Sequence, residues 1–187
     1  KRLQFDTSDQ AKLASGLLEF GKIGFIHASE SLVIHTFTPL FDFELLDTQE
    51  IRLKIQFDYG NCVVDTRLEL EELPFASDFQ LEQKVFQQAL SAGFEANFVS
   101  KRPPLQPQEL YSFFTVALPH FRRLGRVSVA ENLTTLYQVE RPAVSVQTNG
   151  GLLDIGFDFT SIDQIEVDDA LEALFSANDY FISRSGK

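Results

Sequence analysis

The sequence predicts an α+β fold: one α-β-β-β-α-β unit duplicated in tandem, with mostly antiparallel sheets and flanking helices. Three observations carry this. The stretch Ile51-Arg52-Leu53-Lys54-Ile55-Gln56-Phe57-Asp58-Tyr59-Gly60 alternates apolar and polar residues with period two, the mark of a strand with one face on a core and the other in water. One hundred residues later, Leu153-Asp154-Ile155-Gly156-Phe157-Asp158-Phe159 repeats the pattern. Further identities flank the twin strands in the same order: Leu17/Leu118, Phe20/Phe121 and Gly24/Gly125 at an offset of 101, Ser91/Ser176 at 85, and Phe98/Phe181 at 83. A repeat this long lies beyond solenoid periods of roughly 20–50 residues, so duplication at domain scale is expected.

The first element is a helix from a cap at Thr7 or Ser8 to about Lys22, burying Leu13, Leu17 and Phe20. A short strand is expected at Phe25–His27, and Ser29–His35 reads equally as a helical turn or a strand. Leu40–Leu46 and Ile51–Tyr59 follow as strands, then a Gly60-Asn61 turn. A third strand, Cys62–Leu70, would account for the fifteen extra residues that the first copy carries. Ser77 or Asp78 caps a helix through Ala92, Gly93 ends it, and Phe94–Ser100 returns as a strand. Lys101–Pro107 contains three prolines and is the expected linker, giving repeats 1–102 and 103–187, which leaves open their packing as one module.

Pro107 suits the first turn of a second-copy helix carrying Leu110, Phe113, Phe114, Ala117 and Phe121, with Pro119 set to kink it. Then come a strand at Val127–Val129, a helical turn near Ala130–Leu136 and a strand at Ala143–Gln147. An Asn149-Gly150-Gly151 turn leads into the strand Leu152–Phe159. A helix at Val167–Ala177 and a strand at Tyr180–Ser183 close the chain.

Composition is that of a globular protein, 44% hydrophobic and 23% charged, with 19 Phe and no Trp. At 187 residues the core needs no disulfide or metal staple. With no Met to initiate it, the sequence is expected to be a fragment of something longer. One cysteine, Cys62, excludes an internal disulfide and any multi-cysteine zinc site. No apolar run approaches the roughly 18 residues of a membrane helix, and no signal-peptide pattern opens the chain; a cytoplasmic location is expected. Net charge of −11 opposes nucleic-acid binding, which draws on clustered Lys and Arg.

The residues that could carry chemistry are few. His27, His35 and His120 are far apart and lack metal-ligand spacing. Asp58 and Asp158 occupy equivalent strand ends and would form a metal-dependent hydrolase pair only by converging in one cleft; the simpler reading puts both beside turns on polar faces. The run Asp163, Glu166, Asp168, Asp169 and Glu172 fits a helix N-terminus, where negative charge is favourable. Arg122, Arg123 and Arg126, with Lys101 and Arg102, are the only basic concentrations and form the candidate contact patch for phosphate or an acidic partner. Phosphate-binding, dinucleotide and nucleophile-elbow motifs are missing, so no catalytic, cofactor-binding or metal residue is assigned.

Several stretches together resemble the bacterial SNF2 helicase-associated region. They are Ile55–Gly60, the helix opening Leu81-Glu82-Gln83-Lys84 and ending at Gly93-Phe94, Leu118-Pro119-His120-Phe121, Leu152–Asp158, and the closing Tyr180–Lys187. The resemblance covers most of the chain, more clearly after residue 50. Where the family often has a basic–acidic pair before the middle helix, this chain has Ser77-Asp78. The resemblance implies a non-catalytic accessory or regulatory domain preceding the ATPase core of a SWI2/SNF2-type DNA translocase. Its expected partners are that core in the same polypeptide or another protein. A nucleic-acid-binding module is the alternative, and the Asp58/Asp158 hydrolase a more distant one.

Overall fold

A computed structural model describes residues 33–137, 143–158, 162, 164–178 and 180–183, together with residues 4, 6, 9, 12–14, 16 and 17. The chain is α+β with mixed sheets and falls into two compact units, Lys1–Ala130 and Glu131–Lys187. The expected boundary at 102/103 lies inside the first unit. Residues 12–14, 16 and 17 are helical, within the expected first helix; the rest of that helix and the strand Phe25–His27 lie outside the described residues.

The first unit is built on the hairpin β2 (Thr38–Leu45) and β3 (Ile51–Asp58), paired antiparallel from Thr38↔Asp58 to Leu45↔Ile51. Alternation sends Phe41, Phe43, Ile51, Leu53, Ile55 and Phe57 to one face, where all are buried. β1 (Ile34–His35) pairs parallel with β5 (Ala76–Ser77). The outer edge of β3 is shared by β4 (Val63–Val64) and β6 (Val99–Arg102). The outer edge of β2 takes β7 (Arg126–Val129) in parallel.

The expected strand Cys62–Leu70 is corrected. Only Val63–Val64 is strand, and α1 (Arg67–Glu71) follows. Thr66 caps this helix by accepting the Glu69 N–H, and Glu69 accepts the Asp65 N–H in return. That reciprocal capping overrides the period-two pattern of Leu68 and Leu70. The expected strand Phe94–Ser100 begins only at Val99, because Phe94 and Phe98 turn inward as core residues in irregular chain. Lys101 and Arg102 belong to β6, so the proline-rich connection shrinks to residues 103–106.

Helix α2 (Phe79–Ser91) starts at an Asp78 cap and ends where Gly93 takes φ +82°. Then α3 (Pro107–Ser112), a π-helical turn (Phe113–Ala117) and α4 (Leu118–Leu124) run on as one helix. Pro119 lacks the N–H that an α-helix needs, and the chain absorbs this by widening before it rather than breaking. The Leu118 N–H bonds Phe113 O, Thr115 Oγ1 donates to Tyr111 O at 2.8 Å, and the His120 ring sits 2.7 Å from Val116 O.

Side chains from these helices close the core. The Phe121 ring packs edge-on against Phe41 at 4.9 Å and Phe43 at 5.1 Å, and Phe113 meets Phe43 at 5.4 Å. Phe57 lies 4.0 Å from Phe37 and 5.0 Å from Phe98. Gly125 lets β7 enter: a Cβ there would overlap the Pro39 carbonyl oxygen.

The second unit contains α5 (Glu131–Thr134), the antiparallel hairpin β8 (Ala143–Asn149) and β9 (Leu152–Asp158), and α6 (Val167–Phe175). Gly150 and Gly151 both have positive φ, the two-residue turn that matches strand twist. Residues 180–183 are irregular, so the expected closing strand Tyr180–Ser183 is corrected; the Ser183 hydroxyl instead bonds Glu166 at 2.9 Å.

Removing the Phe43 ring should lower the stability of the first unit by about 3–5 kcal/mol. Gly125→Ala should cost about 1–3 kcal/mol by overpacking. Urea denaturation measures both, and unchanged midpoints would contradict this account of the core.

Candidate functional site

A concavity of the first unit runs between the C-terminal half of α2 and the α3–α4 helix. One stretch of about 800 Å³ is bounded by Gly93, Arg102, Glu109, Phe113 and His120. A shallower stretch of about 440 Å³ shares Gln88, Ser91 and His120 with it and adds Lys84 and Arg123. The groove therefore gathers Lys84, Arg102, His120 and Arg123 against one carboxylate, Glu109.

Arg102 reaches the groove from β6 and caps α2, its Nη1 donating to Ala92 O at 2.6 Å. A guanidinium at the negative end of a helix is well placed electrostatically. It also lies 5.8 Å from the centre of the Phe94 ring. Burial pulls its proton affinity below the ordinary arginine value, and Glu109 opposes that pull. A carbonyl oxygen only accepts, so the His120 contact with Val116 O requires a proton on Nδ1 and leaves Nε2 as the acceptor of the neutral ring.

A second concavity of about 650 Å³ lies at the other side of α2, beside Arg67, Glu82, Lys84 and Phe86. Glu82 is 6% exposed, and its Oε1 has no hydrogen-bond partner. The Tyr59 hydroxyl donates to Ser77 Oγ at 2.6 Å. Burial raises the Glu82 pKa; the Ser77 hydrogen bond and the Arg67 charge pull the other way. Burial likewise pushes the Tyr59 hydroxyl above its ordinary value.

A model of the bacterial SNF2 helicase-associated family matches residues 1–187, the whole chain. The chain belongs to the bacterial SNF2 helicase-associated family. No curated protein and no solved structure gives a match.

In this SNF2-associated chain the basic residues singled out from sequence divide among several elements. Lys101 and Arg102 sit on β6, and Arg126 on β7, with β3 and β2 between them. Three strand spacings amount to roughly 14 Å. Lys101 lies 3.8 Å from Glu50, whereas Arg122 and Arg123 are exposed on the last turn of α4. Of these, only Arg102 and Arg123 line the groove. Lys84 also lines it without any sequence signal, and His120 stands alone in the sequence; their convergence depends on how α2 and α4 pack.

The remaining described candidates do not line the groove. Asp58 Oδ1 accepts the Gly60 N–H at 2.8 Å and closes the turn after β3; Asp158 lies on β9 in the second unit. His35 packs against Phe75 at 4.2 Å between ring centres, and Cys62 is a free, half-buried thiol. Asp168 and Asp169 occupy the first turn of α6. His27 and Asp163 lie outside the described residues. Among the described residues no three His, Cys, Asp or Glu side chains are arranged to hold a metal, and no helix is long and apolar enough to cross a membrane.

The folded Glu82 carboxyl holds its proton more tightly than the unfolded one. Its contribution to stability is therefore present at acid pH and is lost as pH rises through the folded value. Measured by denaturation from about pH 4 to pH 8, the stability of wild type minus that of Glu82→Gln should fall as pH rises. Parallel pH profiles would show that Glu82 is not desolvated in the folded protein.

Proposed function

We propose that the chain is a non-catalytic accessory module of a bacterial SNF2-type ATP-dependent DNA translocase, acting in the cytoplasm. It docks on the ATPase core of its own polypeptide or on a protein partner and regulates how DNA binding is coupled to ATP hydrolysis. The observation that carries this reading is the family match over residues 1–187. The structural contacts of Asp58, Arg102 and His120 agree with it, since each of these groups bonds a backbone group beside it. The offset of one hundred residues between β3 and β9 supports an origin of the module by duplication.

A second reading has a specific observation in its favour. Lys84, His120 and Arg123 share the shallow end of the α2–α4 groove, where no carboxylate faces them. Such a local basic strip in a chain of net charge −11 fits a contact with a phosphate backbone.

In the full-length protein, deleting the module should leave basal hydrolysis of ATP intact and change its stimulation by DNA severalfold. Unchanged stimulation and unchanged coupling to translocation would overturn the accessory role. Lys84→Glu combined with Arg123→Glu should leave DNA affinity unaltered under the first reading. A salt-dependent loss of affinity of tenfold or so would favour the second.

A further inference from the structure

The hairpin β8–β9 is sharply two-faced. Its register sets Val144 opposite Phe157, Val146 opposite Ile155, and Thr148 opposite Leu153 on one face; Ser145, Gln147, Asp154 and Asp158 lie on the other. Four residues of the apolar face are exposed, Val144 by 56%, Val146 by 59%, Leu153 by 63% and Ile155 by 52%, while Phe157 at its end is half-buried. The first unit shows what such a face ordinarily meets. Leu53, Ile55 and Phe57 on β3 repeat the Leu, Ile, Phe spacing of β9, and all three are fully buried.

A two-stranded hairpin with its apolar face in water is marginal by itself. Among the described residues, β8 and β9 also pair with no other strand. Between Ala143 and Asn149 there is no lysine, proline or other charge to blunt an exposed edge. An exposed apolar surface beside the unprotected edge of β8 marks a surface built to be covered.

Charge selects what covers it. Residues 131–187 hold ten Asp and Glu against three Lys and Arg, a net −7 of the chain's −11. A second copy of this unit, an anionic lipid surface and nucleic acid would all meet like charge. A cationic protein surface with an apolar centre would be steered to it and held there.

We propose that the apolar face of β8–β9 docks on such a surface, supplied by the ATPase core of the same polypeptide. This rests on the accessory role argued above and names the contact through which it works. A translocase must hold DNA phosphates on cationic groups, so the hairpin and DNA compete for neighbouring ground.

The test is photo-crosslinking in the full-length protein, with p-benzoylphenylalanine replacing Ile155 on the apolar face and, as a control, Gln147 on the polar face. The Ile155 probe should crosslink to the ATPase core, severalfold less in about 0.5 M salt or with saturating duplex DNA. The Gln147 probe should give little. Crosslinks from Ile155 mapping within residues 1–187, to a second copy, or to nothing would each overturn the proposal. Any of those results with altered DNA stimulation on module deletion would sink this surface and leave the accessory role standing. Crosslinks to the core with unaltered stimulation would establish the docking and overturn the regulatory role.

Discussion

Everything in the first unit depends on the pairing of β2 with β3 in one register. Eight paired positions place Phe41, Phe43, Leu53, Ile55 and Phe57 on a single face. A slip of β3 by one residue would turn Leu53, Ile55 and Phe57 outward and bring Arg52 and Lys54 in. The aromatic rings then fix the helices: Phe113 and Phe121 can meet Phe43 only if the helix widens at Phe113–Ala117 and carries past Pro119. Hairpin register, π-helical turn and groove shape are thus successive consequences of one packing constraint.

Polar groups are managed on the same terms. Arg52 pairs with Glu44 across the hairpin on the face away from the core, and Lys54 bonds Asp65 at 2.8 Å. Lys54 holds the Asp65 carboxyl below its ordinary pKa, chiefly by that hydrogen bond. Such exposed pairs contribute little stability each and serve mainly to keep the solvated face polar. Glu82 is the exception, a carboxyl drawn beneath α2 with one oxygen unpartnered. It marks a place where the local environment disfavours charge.

The two units divide the work differently. The first encloses its aromatic core and places its cations beside a groove between two helices. The second holds most of the net negative charge and leaves an apolar ribbon uncovered.

Alternation alone was enough to locate β2, β3 and β9, because a half-buried strand must repeat with period two. Asp78 and Gly93 likewise announced the ends of α2, since a side-chain cap and a positive φ are local requirements. Reading alternation through Cys62–Leu70 failed because Thr66 and Glu69 satisfy backbone donors in a helix that period-two counting cannot see. The basic groove was beyond reach for a different reason: Lys84 and Arg123 lie 39 residues apart and meet only through the packing of α2 against α4. The family resemblance followed from residue patterns spread between Ile55 and Lys187. Which apolar faces are covered was decided by tertiary structure, since the same Leu and Ile are sealed on β3 and exposed on β9, and burial depends on what packs above a strand as well as on the strand itself.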